Sequence, residues 1–157
     1  KEYLSYYDEY SEIESQIKSY ATKTSALQTN ELYYEDCLYD AFDSYYEESD
    51  DEVFRYVFKE RFPVRSDYEN DREGAFIVIY ALLELYPELR DDEDIDKFLV
   101  LIDDTIEELK DTINLHNECI DKYENIVEKI NSLDYIKIWH GKPSISKKYN
   151  KIIFIEP

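Results

Sequence analysis

The stretch "IDKFLVLIDDTIEELKDTINLHNECIDKYENIVEKI", Ile95 to Ile130, decides the fold. Within it Ile95, Leu99, Ile102, Ile106, Leu109, Ile113, His116, Ile120, Tyr123, Val127 and Ile130 recur at intervals that alternate between four and three. That rhythm places all of them along one seam of an α-helix. Nine of the eleven are aliphatic, and no glycine or proline interrupts them. The spacing predicts one helix over about 91–132, close to 60 Å long at about 1.5 Å per residue.

A second run with the same rhythm opens the chain: Tyr3, Tyr6, Tyr10, Ile13, Ile17, Tyr20, Thr24 and Leu27. Two amphipathic helices with matching seams bury them most simply against each other. Between the runs the pattern predicts shorter helices. Glu31 to Glu48 would bury Tyr34, Cys37 or Leu38, Ala41 and Tyr45, and Asp51 to Phe62 would end before Pro63. "SDYE", Ser66 to Glu69, has the form of a capping box that opens a helix reaching Tyr86, stopped by Pro87. The apolar run Ala75 to Leu83 in that helix predicts a covered, central position, with a buried strand as the alternative.

After Leu133 the character changes. "DYIKIW" and "KIIFIE" are short β-branched and aromatic runs, separated by a stretch containing Gly141 and Pro143, which predicts a small hairpin. The expected fold class is therefore mainly α: a helical bundle whose long heptad helix (about 91–132) packs on the N-terminal helix, plus a small C-terminal β-hairpin. One domain, 1–157, is expected, with an acidic helical body over 1–133 and a basic hairpin over 134–157.

Charge separates these parts. The chain carries 38 acids against 18 lysines and arginines, a formal net charge of −20, yet Asp134 to Pro157 holds five lysines and only two acids. With 43% hydrophobic and 16% aromatic residues, the acidity does not prevent a core. No run of about 18 apolar residues is present to span a bilayer, and the Tyr- and Glu-rich N-terminus lacks the pattern of a signal peptide. A cytoplasmic protein is the expectation. Cys37 and Cys119, with no CxxC spacing, read as reduced packing residues.

Motifs for catalysis are missing. Two histidines, two glycines, and no HExxH, GxGxxG or GxxxxGK[ST] leave no common phosphate cradle or zinc site. His116 falls on the seam, where a polar residue fixes register, and His116 with Cys119 supplies only two of the four ligands that zinc requires. "DDEDID", Asp91 to Asp96, lacks the central glycine and final acid of a calcium loop and reads as a helix N-terminus. No catalytic residue, metal ligand or cofactor is assigned, and the reading is of a protein that is not an enzyme.

What stands out is the segment between Lys23 and Arg55, with ten acids and no basic residue. Asp36, Asp40, Asp43 and Glu47 are spaced four, three and four, so a helix aligns them in one stripe opposite its apolar face, continued by Asp50 and Asp51. Tyr45 and Tyr46 beside them add the amphipathic aromatic area enriched at interfaces. Like charges at this spacing cost a helix a few tenths of a kcal/mol per pair, with nothing on the same helix to offset them. These eight residues are the expected partner-binding surface.

In composition, being small, strongly acidic, Tyr-rich and glycine-poor, the chain resembles the phage- or plasmid-encoded DNA-mimic inhibitors of the anti-CRISPR and anti-restriction type. The resemblance implies a non-catalytic inhibitor, in the cytoplasm of a host cell, that occupies the groove of a basic nucleic-acid-binding protein such as a defence nuclease. Direct binding to nucleic acid is disfavoured by repulsion from phosphates. Two alternatives use the same sequence. One is a structural coiled coil, in which the heptad runs also allow a homodimer; the other is an acidic antitoxin or immunity protein.

Overall fold

The computed structural model describes residues 2–48, 50–52, 58, 65–133 and 145–154. Four α-helices are present among them: α1, Glu2–Glu48; α2, Arg65–Asn70; α3, Arg72–Leu85; and α4, Glu93–Ser132, with a 3-10 turn at Pro87–Asp91 before α4. The predicted helix over Asp51 to Phe62 lies almost wholly outside the described residues. The chain divides into two compact units. The first combines Lys1–Asn30 with Thr105–Pro157 and the second is Glu31–Asp104.

Helix α1 runs through the point where the sequence predicts a break. No glycine or proline occurs before Pro63, and the hydroxyls that could have capped a new helix turn back into this one. Thr29 Oγ1 donates to the Ser25 carbonyl at 3.0 Å, as Thr24 does to Tyr20 at 2.8 Å. With no competing cap, the hydrogen-bond ladder continues.

True caps sit elsewhere. The Asp92 carboxylate accepts from the backbone N–H groups of Asp94 and Ile95, each at 3.0 Å, and Glu93, Asp94 and Asp96 fill the positive first turn of α4. This accounts for "DDEDID" as a helix start. The helix expected to open at Ser66 instead begins twice, as α2 at Arg65 and again as α3, where Asp71 Oδ1 accepts from Gly74 N–H at 3.0 Å. A Cβ at position 74 would collide with the Asp71 carboxylate, so glycine keeps this cap in place. Pro87 ends α3 as expected, becoming the first residue of the 3-10 turn.

In the first unit the two heptad seams meet. Ile13 and Ile17 of α1 form one cluster with Cys119, Ile120, Tyr123, Ile126, Val127 and Ile130 of α4, and Leu27 joins Leu109 and Ile113 in a second. Leu27 thus meets the early part of the α4 seam and Ile13 the late part, an antiparallel pair. Cys119 packs here, with its Sγ 3.6 Å from Gln16 Oε1. The predicted α4 seam residues are buried except Ile106, which is only partly so, and Thr105, Thr112, Cys119 and Ile126 are buried beside them, while Tyr6, Tyr10 and Tyr20 of the α1 seam are partly buried.

The described part of the predicted C-terminal hairpin forms no strand. Its second arm was expected over "KIIFIE", but residues 145–154 contain no strand, and the first arm and turn lie outside the described residues. The physical reason is that side chains of α4 take the backbone groups a partner strand would have used. The Asn131 carboxamide accepts from Ile145 N–H and donates to Ile145 C=O, both at 2.9 Å, and Asn117 does the same to Ile152, again at 2.9 Å. Between them the Tyr123 hydroxyl accepts from Lys148 N–H at 2.7 Å and donates to the Ser146 carbonyl at 3.2 Å.

The lengths agree. Fourteen residues of helix from Asn117 to Asn131 rise about 21 Å, and seven extended residues from Ile145 to Ile152 span about 23 Å. The segment therefore lies antiparallel along α4. Tyr149 packs edge-on against Tyr123, at 5.2 Å between centroids, and donates to Glu14 of α1 at 2.9 Å. That hydrogen bond, with help from Lys18, holds the Glu14 carboxyl below its ordinary range against the effect of burial. His116 also has a role here. Its buried ring places Nδ1 3.0 Å from Asn117 Oδ1, orienting the carboxamide that holds Ile152.

Replacing fully buried Ile120 by alanine is expected to destabilise the fold by about 2–5 kcal/mol, as a large-to-small change in a packed seam. Asn125→Ala, on the exposed side of the same helix, should shift stability by less than about 0.5 kcal/mol. Urea denaturation followed by circular dichroism compares the two, and equal losses would contradict the seam.

Candidate functional site

The C-terminal half of α1 belongs to the second unit, and its side chains divide into a packed face and an acidic face. Leu38, Tyr39, Ala41 and Phe42 are buried. The Tyr39 ring stacks on Tyr68 of α2 with centroids 4.1 Å apart and planes at 13°. Phe58 meets Tyr39, Phe42 and Tyr46 at 5.7, 6.1 and 6.1 Å. These rings, together with buried Ile79, Leu82, Leu89, Ile95 and Leu99, make the core of this unit and fix how α1 turns its carboxylates outward.

The predicted stripe does not remain one row. Asp36 is partly buried because α2 and α3 reach over that margin of the helix. It accepts from Arg72 Nη2 at 2.6 Å and from the Tyr68 hydroxyl at 2.9 Å. The Arg72 guanidinium lies 5.1 Å from the Tyr68 ring centre and reaches Glu35 at 3.7 Å. Asp36 is thus answered by an arginine 36 residues away in the chain.

Farther along, Asp40 and Glu47 are exposed, while Asp43, Tyr45 and Tyr46 are partly buried. Asp40 lines a shallow, open concavity with Cys37, Ala41, Ser44, Asp94 and Phe98. Asp50 and Asp51 are exposed beyond the end of α1, and the Tyr86 hydroxyl lies 3.4 Å from Asp51. The structure keeps the predicted residues on one segment of the second unit but assigns Asp36 to an internal ion pair.

Sequence reasoning missed two residues, Glu31 and Glu35. Glu31 continues the α1 seam four positions after Leu27, so an acid stands where the rhythm calls for an apolar residue. Burial pushes the Glu35 carboxyl up to about 7, reinforced by the neighbouring Glu31 and opposed by Arg72. Glu31 is also raised by burial, although its hydrogen bond with Glu35 works the other way. Two carboxyls one helical turn apart, sharing a hydrogen bond, are best accommodated with a proton between them. Tyr80 of α3 faces the same group and is held above its ordinary range by burial and by Asp103, Glu35 and Glu31, with Arg90 opposing. A charged residue at a seam position was the signal that could have found this cluster.

The units differ sharply in charge. Glu31–Asp104 carries 24 acids against 7 basic residues, a net −17, leaving −3 for the first unit. The second unit also holds most of the exposed large apolar side chains among the described residues: Leu32, Tyr33, Ile77, Tyr80, Leu85 and Val100, against Leu115 and Ile153 in the first. The apolar helix α3 is thus covered on one side only. Ala75, Ile79, Leu82 and Leu83 are buried, while Ile77 and Leu85 are 65% and 69% exposed. Among the described residues no group of three or more His, Cys, Asp or Glu is placed to hold a metal ion. No described helix is long and apolar enough to cross a membrane.

Because the Glu35 pKa is raised on folding, the folded chain binds a proton that the unfolded chain releases between about pH 4.5 and 7. Its contribution is fully present below the unfolded value and is lost as pH rises through about 7. Relative to Glu35→Gln, which keeps the volume and cannot ionise, the wild-type chain should lose thermal stability as pH is raised from 5 to 8. Parallel melting temperatures for the two proteins across that range would contradict the assignment.

No family model matches the chain, and neither does any curated protein or solved structure.

Proposed function

We propose that the second unit is an acidic docking surface with which this protein occupies the basic groove of a nucleic-acid-binding protein, such as a host defence nuclease, and blocks it by competing with nucleic acid. The observation that carries this reading is the concentration of charge: −17 of the −20 lies in Glu31–Asp104. A field of one sign over one unit steers association with a basic partner and gains strength where the groove excludes water.

The spacing along α1 supports the same conclusion. Asp40, Asp43, Glu47 and Glu48 are distributed over about 12 Å of helix, a charge for roughly every 4 Å. One strand of a DNA duplex carries a charge for about every 3.4 Å. A rigid helix bearing carboxylates at comparable density presents a phosphate-binding groove with a familiar pattern of charge. Tyr33, Tyr80 and the exposed aliphatic residues of this unit add the apolar contact area that charge alone does not provide. Blocking of this kind needs binding and no turnover, which suits a chain in which we assign no catalytic group. The coiled-coil alternative keeps its intramolecular form, since Ile13 to Leu27 of α1 and Leu109 to Ile130 of α4 bury against each other in the first unit, and that pairing leaves its dimeric form with less support.

Affinity capture from a bacterial lysate, followed by competition with a fluorescent DNA duplex, tests the reading. The captured protein should be a nucleic-acid enzyme, and this chain should displace the duplex with an affinity that falls steeply as salt rises from 50 to 200 mM. Reversing exposed acids locates the surface. Asp40→Lys, Glu47→Lys and Asp50→Lys together should leave the helical spectrum intact and weaken binding by at least about tenfold. Reversing Glu107, Asp111 and Glu118 in the first unit changes net charge by the same amount and should have little effect. Equal losses would assign the binding to net charge, and no loss from either triple variant would sink the proposal.

A further inference from the structure

Residues 145–154 are held differently from every other described part of the chain. No backbone-to-backbone hydrogen bond ties this segment to another element among the described residues. Asn131, Tyr123 and Asn117 instead bond its main chain at three points along α4, and two of these contacts satisfy both the N–H and the C=O of one residue. The buried members of the adjacent cluster all come from α1 and α4. Ile145 and Tyr149 are only partly buried on top of it. Charge is complementary as well. The segment carries Lys147, Lys148 and Lys151 and no acid, and Lys151 pairs with Asp121 at 2.8 Å and Lys147 with Glu128 at 3.8 Å.

These are the properties of a peptide in a receptor groove. Main-chain bonds supply affinity that does not depend on sequence, and side-chain seats at intervals supply selectivity. We propose that the groove of α1 and α4 in the first unit is a peptide-binding site whose ligand is this chain's own segment 145–154, bound in cis and exchangeable with the same segment of a second copy. The ligand class is an extended, lysine-bearing peptide with isoleucine at its first and eighth positions, tyrosine at its fifth and phenylalanine at its tenth. His116 is a positioning residue for the site, acting through Asn117. The near-neutral first unit permits two copies to approach on this side, which the −17 of the second unit would oppose.

The test uses full-length chains. In one variant, Tyr149→Ala with Ile152→Asp, the tethered segment is spoiled and the groove is intact. In a second, Asn117→Ala with Asn131→Ala, the groove is spoiled and the segment is intact. A fluorescent synthetic peptide of residues 145–154 should bind the first variant saturably and about 100-fold or more tighter than it binds wild type, where the tethered copy competes at millimolar effective concentration. Adding the two asparagine substitutions to the first variant should weaken peptide binding by about tenfold or more. Mixed together, the two variants should form a heterodimer in sedimentation velocity that neither forms alone. Absence of peptide binding to the first variant, equal binding of a scrambled peptide, or indifference to the asparagine substitutions would overturn the proposal. Loss of the helical spectrum in the first variant would also overturn it, because a groove that cannot persist without its occupant is not an exchangeable site.

Discussion

A helix of 40 residues with an apolar side chain every third or fourth position must have that seam covered along its whole length. Meeting this requirement organises the first unit. The α1 seam from Tyr6 to Leu27 repeats the same rhythm in the opposite direction, and the two helices share a core with Ile13, Ile17, Ile120, Tyr123 and Val127 at its centre. Burial of this kind stabilises by roughly 1.5–3 kcal/mol for each large aliphatic side chain, which outweighs any local preference for breaking α1 near Asn30. The polar residues admitted to the seam are those with partners. His116 bonds Asn117 and Thr24 bonds its own helix, and no buried side-chain nitrogen or oxygen among the described residues lacks a hydrogen bond.

The second unit is built on other terms. Its core adds to buried aliphatic residues such as Ile79, Leu82 and Leu99 a run of aromatic contacts from Phe42 through Phe58 and Tyr39 to Tyr68. Rings of this size stabilise a small unit and leave the tyrosine hydroxyls free to bond, as Tyr68 does to Asp36. Arg72 is the counterweight to the local excess of acid. It ties Asp36 and Glu35 of α1 to the first turn of α3, and the remaining repulsion between Glu31 and Glu35 is relieved by sharing a proton. The acidity is therefore tolerated inside by pairing and protonation, while Asp40, Glu47 and Asp50, like Ile77 and Leu85 of α3, are exposed.

By itself the sequence determined the elements whose signal is local and periodic. The α4 seam, a helix start within Asp91 to Asp96, the stop at Pro87 and the face that α1 buries from Tyr6 to Leu27 could all be read from spacing and end chemistry. Spacing along a helix is fixed by its geometry whatever lies nearby. The acidic run of α1 was equally legible as composition. Only the tertiary structure decided the rest, because it depended on which distant groups meet. The C-terminal runs had the β-branched pattern of strands, but a strand needs a partner's backbone. Asn117, Tyr123 and Asn131 supply the same hydrogen bonds from side chains, and their spacing along α4 means nothing until an extended segment lies against it. Asp36 was read as part of an unanswered stripe, since Arg72 is remote in sequence and reaches it only across the fold. The −17 of Glu31–Asp104 is by contrast a sum over one contiguous stretch, legible as composition, and the contacts of the fold decide only that this stretch is a unit of its own.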